Sequence, residues 1–266
     1  MTPRIDIEDT FDSIIPTCGG KRVRDLVGAS PSFDNADYVF REHKIVAELK
    51  CLEVDKSRDP ATARKLSRLW INWRQRGLVT GKTPPHIYSD QLPDTCQQEM
   101  FMALGKPIRR AIEKANRQIR ETKAALGLTD YAGLLFIAND GNFLFRPPAL
   151  IHYVQSVLRS GFFREIRNFV LFTVNMYSTM KGFAEPGLFW IHFTHQGIFK
   201  PLRMHRVKVR TRRCEHNTIL PKALLLEVVL DSITNAVSLT NVECWQIVFL
   251  NESPKKINTW PLKTVF

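Results

Sequence analysis

The sequence lacks the short motifs that mark several large protein classes. It has no Cys-x-x-Cys pair, no Gly-x-Gly-x-x-Gly pattern and no glycine-rich phosphate loop ending in lysine and serine or threonine. These absences argue against a clustered zinc site and against the common nucleotide-binding loops. The five cysteines are odd in number and widely spaced. Such cysteines are typical of free thiols in a reducing compartment, so we expect a cytoplasmic protein.

Long apolar segments are also missing. No uninterrupted apolar run reaches the roughly 20 residues that a membrane-spanning helix needs. Residues 1–6 lack the apolar core of a signal peptide, so we expect none, and without a long apolar run we expect no membrane partner. No repeat or low-complexity segment occurs in the 266 residues, and 44% of them are hydrophobic, which is enough for one large core.

What the sequence has in excess is positive charge. Its 38 lysines and arginines outnumber its 26 acidic residues, and the formal net charge is +12. Such an excess favours a polyanionic partner, of which nucleic acid is the commonest. A basic protein with no such partner is the alternative that charge alone leaves open.

Predicted helices and apolar strands alternate along the chain, which is typical of an α/β protein with a mixed β-sheet flanked by helices. No clear linker interrupts the pattern, so we expect a single domain over residues 1–266. The pattern predicts a turn at 139–142 and a short helical turn at 21–27. It predicts helices at about 4–15, 59–76, 96–126, 147–158 and 221–235, and strands at about 37–40, 45–50, 134–138, 169–174, 188–193 and 244–250.

Two adjacent predicted strands carry three charged residues. Asp37 begins the first strand, and Glu48 and Lys50 share one face of the second because strand side chains alternate. If the strands pair, the Asp37 carboxylate can approach Glu48. Two carboxylates beside an ammonium can hold a divalent metal and leave a cation for water or phosphate, as phosphodiester hydrolysis requires. The alternative is an edge strand whose solvent-facing side carries a surface ion pair.

These residues form a pattern with a family resemblance. Ala36-Asp37-Tyr38-Val39-Phe40, eleven positions from Asp37 to Glu48, and then Glu48-Leu49-Lys50 resemble the PD-(D/E)xK, or restriction-endonuclease-like, nuclease superfamily. Ala36 stands where many members have proline. The resemblance covers about residues 5–140. It implies a restriction-endonuclease-like core at about 5–175, with a C-terminal α/β elaboration at about 176–266.

The resemblance also implies roles for individual residues. Asp37 and Glu48 would bind Mg²⁺ or Mn²⁺, with the main-chain carbonyl of Leu49 completing the metal shell. Lys50 would orient or help to deprotonate the attacking water and offset negative charge in the transition state.

Two further residues match positions that family members often use. Gln118, on the long helix after the hairpin, would position water or the backbone; the alternative is a solvated helix position. Glu8, on the upstream helix, would be a metal ligand or a base. Favourable charge placement at a helix N-terminus also explains Glu8, and it is the interpretation we favour.

Two basic segments are candidate nucleic-acid contacts. In the segment 203–213 cations alternate with Val207, Val209 and Thr211, so one strand face could follow a phosphate backbone; a charged edge strand is the alternative. The predicted helix 61–76 carries cations beside Trp70 and Trp73, and tryptophans spaced in this way are more often core. The candidate contacts are Arg203, Arg206, Lys208, Arg210, Arg212, Arg64 and Arg68.

The sequence therefore predicts a magnesium-dependent nuclease, a metal-binding hydrolase, with DNA as the expected substrate and endonuclease action as the expected mode. The runner-up is a non-catalytic nucleic-acid-binding or assembly protein on the same fold, and the third alternative is an unrelated basic α/β interaction protein. A homodimer is left open. The pairs His192/His195 and Cys214/His216 lack further ligands at zinc-site spacing, so we expect no zinc site.

Overall fold

A mixed sheet runs through the chain in the computed structural model. The structure describes residues 6–28, 31–54, 56, 59–84, 87, 91–142, 144–145 and 147–174, together with the backbone of two further strands at 189–194 and 246–249. The strands lie side by side in chain order. They are β1 (Lys21–Arg22), β2 (Tyr38–Phe40), β3 (Ile45–Leu52), β4 (Ala132–Asp140), β5 (Ile166–Val174), β6 (Phe189–Thr194) and β7 (Gln246–Phe249).

The strand directions divide this sheet into three parts. β1, β2 and β3 form an antiparallel meander. β3, β4 and β5 are parallel neighbours, and β5, β6 and β7 are antiparallel again. Parallel strands need long crossover connections. Helices supply them between β3 and β4 and between β4 and β5.

Helices cover both faces of the sheet, as the sequence predicts for an α/β protein. One face packs on α1 (Ile7–Ile14) through aromatic rings, because Phe11 of that helix contacts Phe136 and Phe172 of the sheet. The other face packs against the remaining long helices through a larger apolar cluster. The helices are α1 (Ile7–Ile14), a 3₁₀ turn (Ile15–Cys18), α2 (Val23–Val27), α3 (Pro60–Gln75), α4 (Asp94–Leu104), α5 (Lys106–Ala125) and α6 (Pro147–Leu158).

β3 is a central strand of the sheet. It pairs with β2 on one side and with β4 on the other. β2 pairs with β3 only over residues 45–47, so Glu48 and Lys50 have a strand partner only in β4. The interpretation as a surface ion pair on a solvent-facing strand is wrong because Glu48 is 0% exposed. Because side chains alternate, Ala47 and Leu49 join the cluster beneath α1 and Glu48 and Lys50 point toward the α5 face.

The single helix expected at about 96–126 is two helices, α4 and α5, which meet at Gly105. Pro107 has no N–H to donate to the Ala103 carbonyl, so the ladder breaks there. That carbonyl instead accepts a hydrogen bond from Lys65 Nζ. A Cβ at Gly105 would lie 2.2 Å from Cζ of Tyr153 on α6, so the junction also needs a glycine for close packing.

Two shorter predictions are also corrected. Residues 21–27 begin as strand β1 and only then become α2. Asn139 and Asp140, expected in a turn, end strand β4, and both are buried. Pairing with β3 and β5 continues to that point and satisfies the backbone, so the strand is prolonged past the turn-forming residues. The helix expected at 221–235 lies outside the described residues.

Helix α3 begins as its sequence predicts. Asp59 accepts a hydrogen bond from the Thr62 N–H at 2.9 Å and caps the helix, with Pro60 as the first helical residue. Trp73 is fully buried, and its Nε1 donates to Glu99, which confirms it as a core residue.

The described cysteines, Cys18, Cys51 and Cys96, are free thiols. Cys214 and Cys244 lie outside the described residues. In the parts of the chain that the structure describes, no helix has the length and apolar character needed to cross a bilayer.

Candidate active site

The Asp37 side chain is held at the start of β2 by the backbone of β3. The pairing of Tyr38 with Ala47, continued by one residue, sets Asp37 opposite Glu48. Asp37 Oδ2 accepts a hydrogen bond from the Leu49 N–H at 2.8 Å. Since the N–H and C=O of one residue in an extended strand point to the same side, the Leu49 carbonyl is directed to the Asp37 side of β3.

Glu48 is an acid in the interior of the protein. The residue is 0% exposed. Its Oε1 forms an ion pair with Lys50 Nζ. Its Oε2 is buried and has no hydrogen-bond partner among the described residues. Because a buried carboxylate oxygen without a partner is unfavourable, this atom favours either a proton or a cation beside it.

The pKa of Glu48 reflects this position. Burial raises the pKa of the Glu48 carboxyl to about 8, and the nearby Asp37 carboxylate acts in the same direction. The charge and hydrogen bond of Lys50 oppose that rise, and so does the backbone N–H of Asp37. Ionisation of Glu48 is therefore unfavourable without an additional positive charge.

The second carboxyl group is perturbed in the same direction. Burial raises the pKa of Asp37, while the Leu49 N–H and the charge of Lys50 lower it. The strand register sets Asp37 opposite Glu48, and each of the two side chains affects the pKa of the other. A pair of neighbouring acids with raised pKa values is typical of sites that bind a metal or transfer a proton.

Gln118 on α5 connects the lysine to the loop before β2. Its Oε1 accepts a hydrogen bond from Lys50 Nζ at 2.9 Å, and its Nε2 donates to the Asn35 carbonyl at 2.8 Å. Gln118 is only 9% exposed, so the interpretation as a solvated helix position is wrong. The side chain of Lys50 is 18% exposed, which leaves part of it open to solvent beside Glu48.

The loop before Asp37 is attached to α5 at neighbouring residues. The Asp34 N–H donates to Glu121 Oε2 at 3.0 Å, and the Ala36 N–H donates to Thr122 Oγ1 at 2.7 Å. The sequence pattern gave no indication of these helix positions. Each hydrogen bond joins residues more than 80 positions apart, so no local pattern could have indicated it.

Glu8 occupies a different place from the other predicted site residues. It is exposed in the first turn of α1, which packs against the opposite face of the sheet. Burial first, and then the Glu8 carboxylate, raise the pKa of the Cys51 thiol at the end of β3. This position agrees with favourable charge at a helix N-terminus, and a role for Glu8 as a ligand stays a prediction.

The donor set of the site fits a hard divalent cation. It consists of the Asp37 and Glu48 carboxylates and, from the strand geometry, the Leu49 carbonyl, and oxygens of this kind are the ligands of Mg²⁺. The partnerless Glu48 Oε2 supplies an acceptor inside the protein. The described ranges contain no cluster of three or more histidine, cysteine or acidic side chains that could hold a metal, so any ion here would rely on two carboxylates.

The predicted nucleic-acid contacts are placed only in part. Arg64 and Arg68 are exposed on α3. The basic segment with Arg203, Arg206, Lys208, Arg210 and Arg212 lies outside the described residues, as do Cys214, His195 and His216 and the side chain of His192.

Comparisons with protein-family models, with curated proteins and with solved structures give no match for this chain.

Proposed function

We propose that this protein is a metal-dependent nuclease with a restriction-endonuclease-like core and that DNA is its substrate. The observation that carries the proposal is the meeting of Asp37, Glu48 and Lys50, held by Gln118, around a buried carboxylate oxygen that has no partner among the described residues. Sites with this chemistry hydrolyse phosphodiesters with a divalent metal.

The order of the elements supports the same proposal. A helix, an antiparallel set of three strands, a long helix and a parallel strand follow one another as α1, β1–β3, α5 and β4. The PD-(D/E)xK resemblance implies a helix before the hairpin, the acid-x-lysine signature in the second strand of the hairpin, and then a long helix followed by a buried strand. Helix α2 lies between β1 and β2, and helices α3 and α4 lie between β3 and α5.

Each residue has a distinct task in the proposed reaction. Asp37, Glu48 and the Leu49 carbonyl would hold Mg²⁺ or Mn²⁺, and the ion, when bound, supplies charge stabilisation and lowers the pKa of a coordinated water. Lys50 donates a hydrogen bond that orients the attacking water and offsets negative charge on the phosphoryl oxygens. Hydrolysis adds the water oxygen to phosphorus, breaks one P–O ester bond and leaves a proton on the departing oxygen. Gln118 fixes the position of Lys50.

A cleavage assay tests this proposal. We expect the wild type to cut supercoiled plasmid or linear DNA with Mg²⁺ or Mn²⁺ and to stop with EDTA. Lys50→Met should lower the rate by about 100-fold or more, because it removes a charge needed in the transition state. Lys44→Met is the matched control. Lys44 is in the turn of the same hairpin and forms an exposed ion pair with Asp130, so cutting should persist.

The assay also separates the alternatives. Parallel reactions with single-stranded DNA and with RNA identify the substrate class. A wild type that binds DNA but cuts none of these substrates with either metal would favour the non-catalytic binding protein. Equal cutting by the Lys50→Met and Lys44→Met variants would remove Lys50 from the mechanism.

A further inference from the structure

An exposed aspartate carboxylate accepts hydrogen bonds from an arginine beside the candidate active site. Arg117 Nε and Nη2 both donate to Asp34 Oδ2, at 3.1 and 2.7 Å. Asp34 precedes Asp37 by three residues in the loop that is attached to α5. The two side chains are about half exposed, 48% for Asp34 and 49% for Arg117, so solvent or a ligand can reach both.

More than one cation acts on this carboxylate. The hydrogen bond from Arg117 is the main cause that lowers the pKa of Asp34, and the charges of Lys114 and Lys50 add to it. Lys114 is one helical turn before Gln118 on α5, so it lies on the same side of the helix as the residue that holds Lys50. Glu121 is a second acid in this group, with its Oε1 4.0 Å from Arg117 Nε, so two acids and three cations meet at the edge of the site.

We propose that Arg117 and Lys114 form a phosphate-binding subsite for the nucleic-acid strand. The Asp34 carboxylate stays bound to the Arg117 guanidinium until a backbone phosphate displaces it. This inference rests on the proposed function, because it places the subsite next to Lys50. Asp34 acts as an internal competitor that weakens binding of the strand.

The chemistry of the pair makes the exchange reasonable. A guanidinium binds carboxylate and phosphate oxygens with the same paired N–H donors. An ion pair exposed to solvent is worth little, so a backbone phosphate, which carries the same single negative charge, can replace the carboxylate. Neutralising phosphates with protein cations also releases counterions, which further favours the exchange at low salt.

The same helix contains a matched control pair. Arg109 donates to Glu113 at 2.9 Å, with exposures of 49% and 48% that equal those of Arg117 and Asp34. Arg109 is eight residues before Arg117, about 12 Å along the helix axis. The charges of Arg109 and Glu113 affect the pKa of Tyr153 on α6, away from Asp34.

The experiment is a binding titration without catalysis. Fluorescence anisotropy with labelled single-stranded and duplex DNA, in EDTA at several salt concentrations, compares wild type with Asp34→Asn, Glu113→Gln, Arg117→Ala and Arg109→Ala. We expect Asp34→Asn to tighten binding about threefold and Glu113→Gln to change it by less than about 1.5-fold. Arg117→Ala should weaken binding about fivefold and reduce the salt slope by about 1, with little effect from Arg109→Ala.

A double variant tests the competition itself. If Asp34 competes through Arg117, Asp34→Asn should tighten binding much less in the Arg117→Ala background. Equal effects of Asp34→Asn and Glu113→Gln, or of the two arginine variants, would overturn the subsite. Circular dichroism and thermal melts verify that every variant is folded. Since no cutting occurs in EDTA, a positive result here beside a failed cleavage assay would reject the nuclease and keep the subsite.

Discussion

Replacing Glu48 with glutamine should stabilise the metal-free protein at high pH. Burial raises the pKa of Glu48 to about 8 in the folded protein, from 4.5 in an ordinary glutamate. The folded state therefore keeps the Glu48 proton to a higher pH than the unfolded state does. The associated stability is fully present below the unfolded pKa and declines as pH rises through the folded pKa. The glutamine side chain of the variant would not ionise and would keep that stability.

The size of the effect follows from the two pKa values. At about 1.4 kcal/mol for each pKa unit, the displacement from 4.5 to about 8 removes roughly 4 kcal/mol of unfolding free energy between pH 5 and pH 9. The variant should match the wild type near pH 5, where Glu48 is protonated, and exceed it at pH 9. Lys50 keeps an acceptor in the variant because the glutamine amide oxygen can replace Oε1.

Urea denaturation at pH 5, 7 and 9 measures these free energies by linear extrapolation. Glu113→Gln is the control, since that glutamate is half exposed in a surface ion pair, and it should change stability by less than about 1 kcal/mol at every pH. Magnesium at about 100 times its Kd should return about 2.7 kcal/mol to the wild type and much less to Glu48→Gln. A variant that is equally destabilised at all three pH values would mean that Glu48 is ionised and satisfied by Lys50 alone.

Three other substitutions have defined outcomes. Gln118→Leu should lower cleavage at least tenfold and destabilise the fold by about 1–3 kcal/mol, since Lys50 Nζ loses an acceptor; cleavage and urea titrations measure both. Asp59→Ala should cost about 1 kcal/mol in urea titrations, through loss of the α3 cap, and leave cleavage intact. Gly133→Ala should lower the melting temperature strongly, because its Cβ would lie 2.0 Å from the Glu165 carbonyl oxygen.

The hairpin of the candidate site could be predicted because its information is local. Strand alternation places Glu48 and Lys50 on one face in any tertiary context, and the β2–β3 register that sets Asp37 opposite Glu48 follows from a short turn. The burial of Glu48 was not predictable in this way, because it depends on β4 and α5 covering a strand that could equally have been an edge.

The link through Gln118 needed information beyond local pattern. Gln118 is 68 residues from Lys50 and 83 residues from Asn35, so helix periodicity alone leaves it as one of several polar positions on α5. The family resemblance selected it. No family resemblance selected Asp34, and local pattern could not do so because its partner Arg117 is also 83 residues away.

Element boundaries failed where tertiary contacts decided them. The helical pattern runs through Gly105, and the structure breaks it where Pro107 and the ring of Tyr153 act together. Asn139 and Asp140 are turn-forming residues, yet pairing with the strands on both sides keeps them in β4. Pro107 was a local signal for the first break, whereas the ring of Tyr153 and the strands that pair with β4 are distant in sequence.

A crystal structure with Mn²⁺ tests the proposed metal site most directly. Anomalous scattering locates the ion independently of the protein chain. We expect one Mn²⁺ within about 2.5 Å of a carboxylate oxygen of both Asp37 and Glu48, with Glu48 Oε2 among its ligands. A soak at millimolar Mn²⁺ that leaves this position empty, while Glu48 keeps Lys50 as its sole partner, would contradict the metal-dependent mechanism.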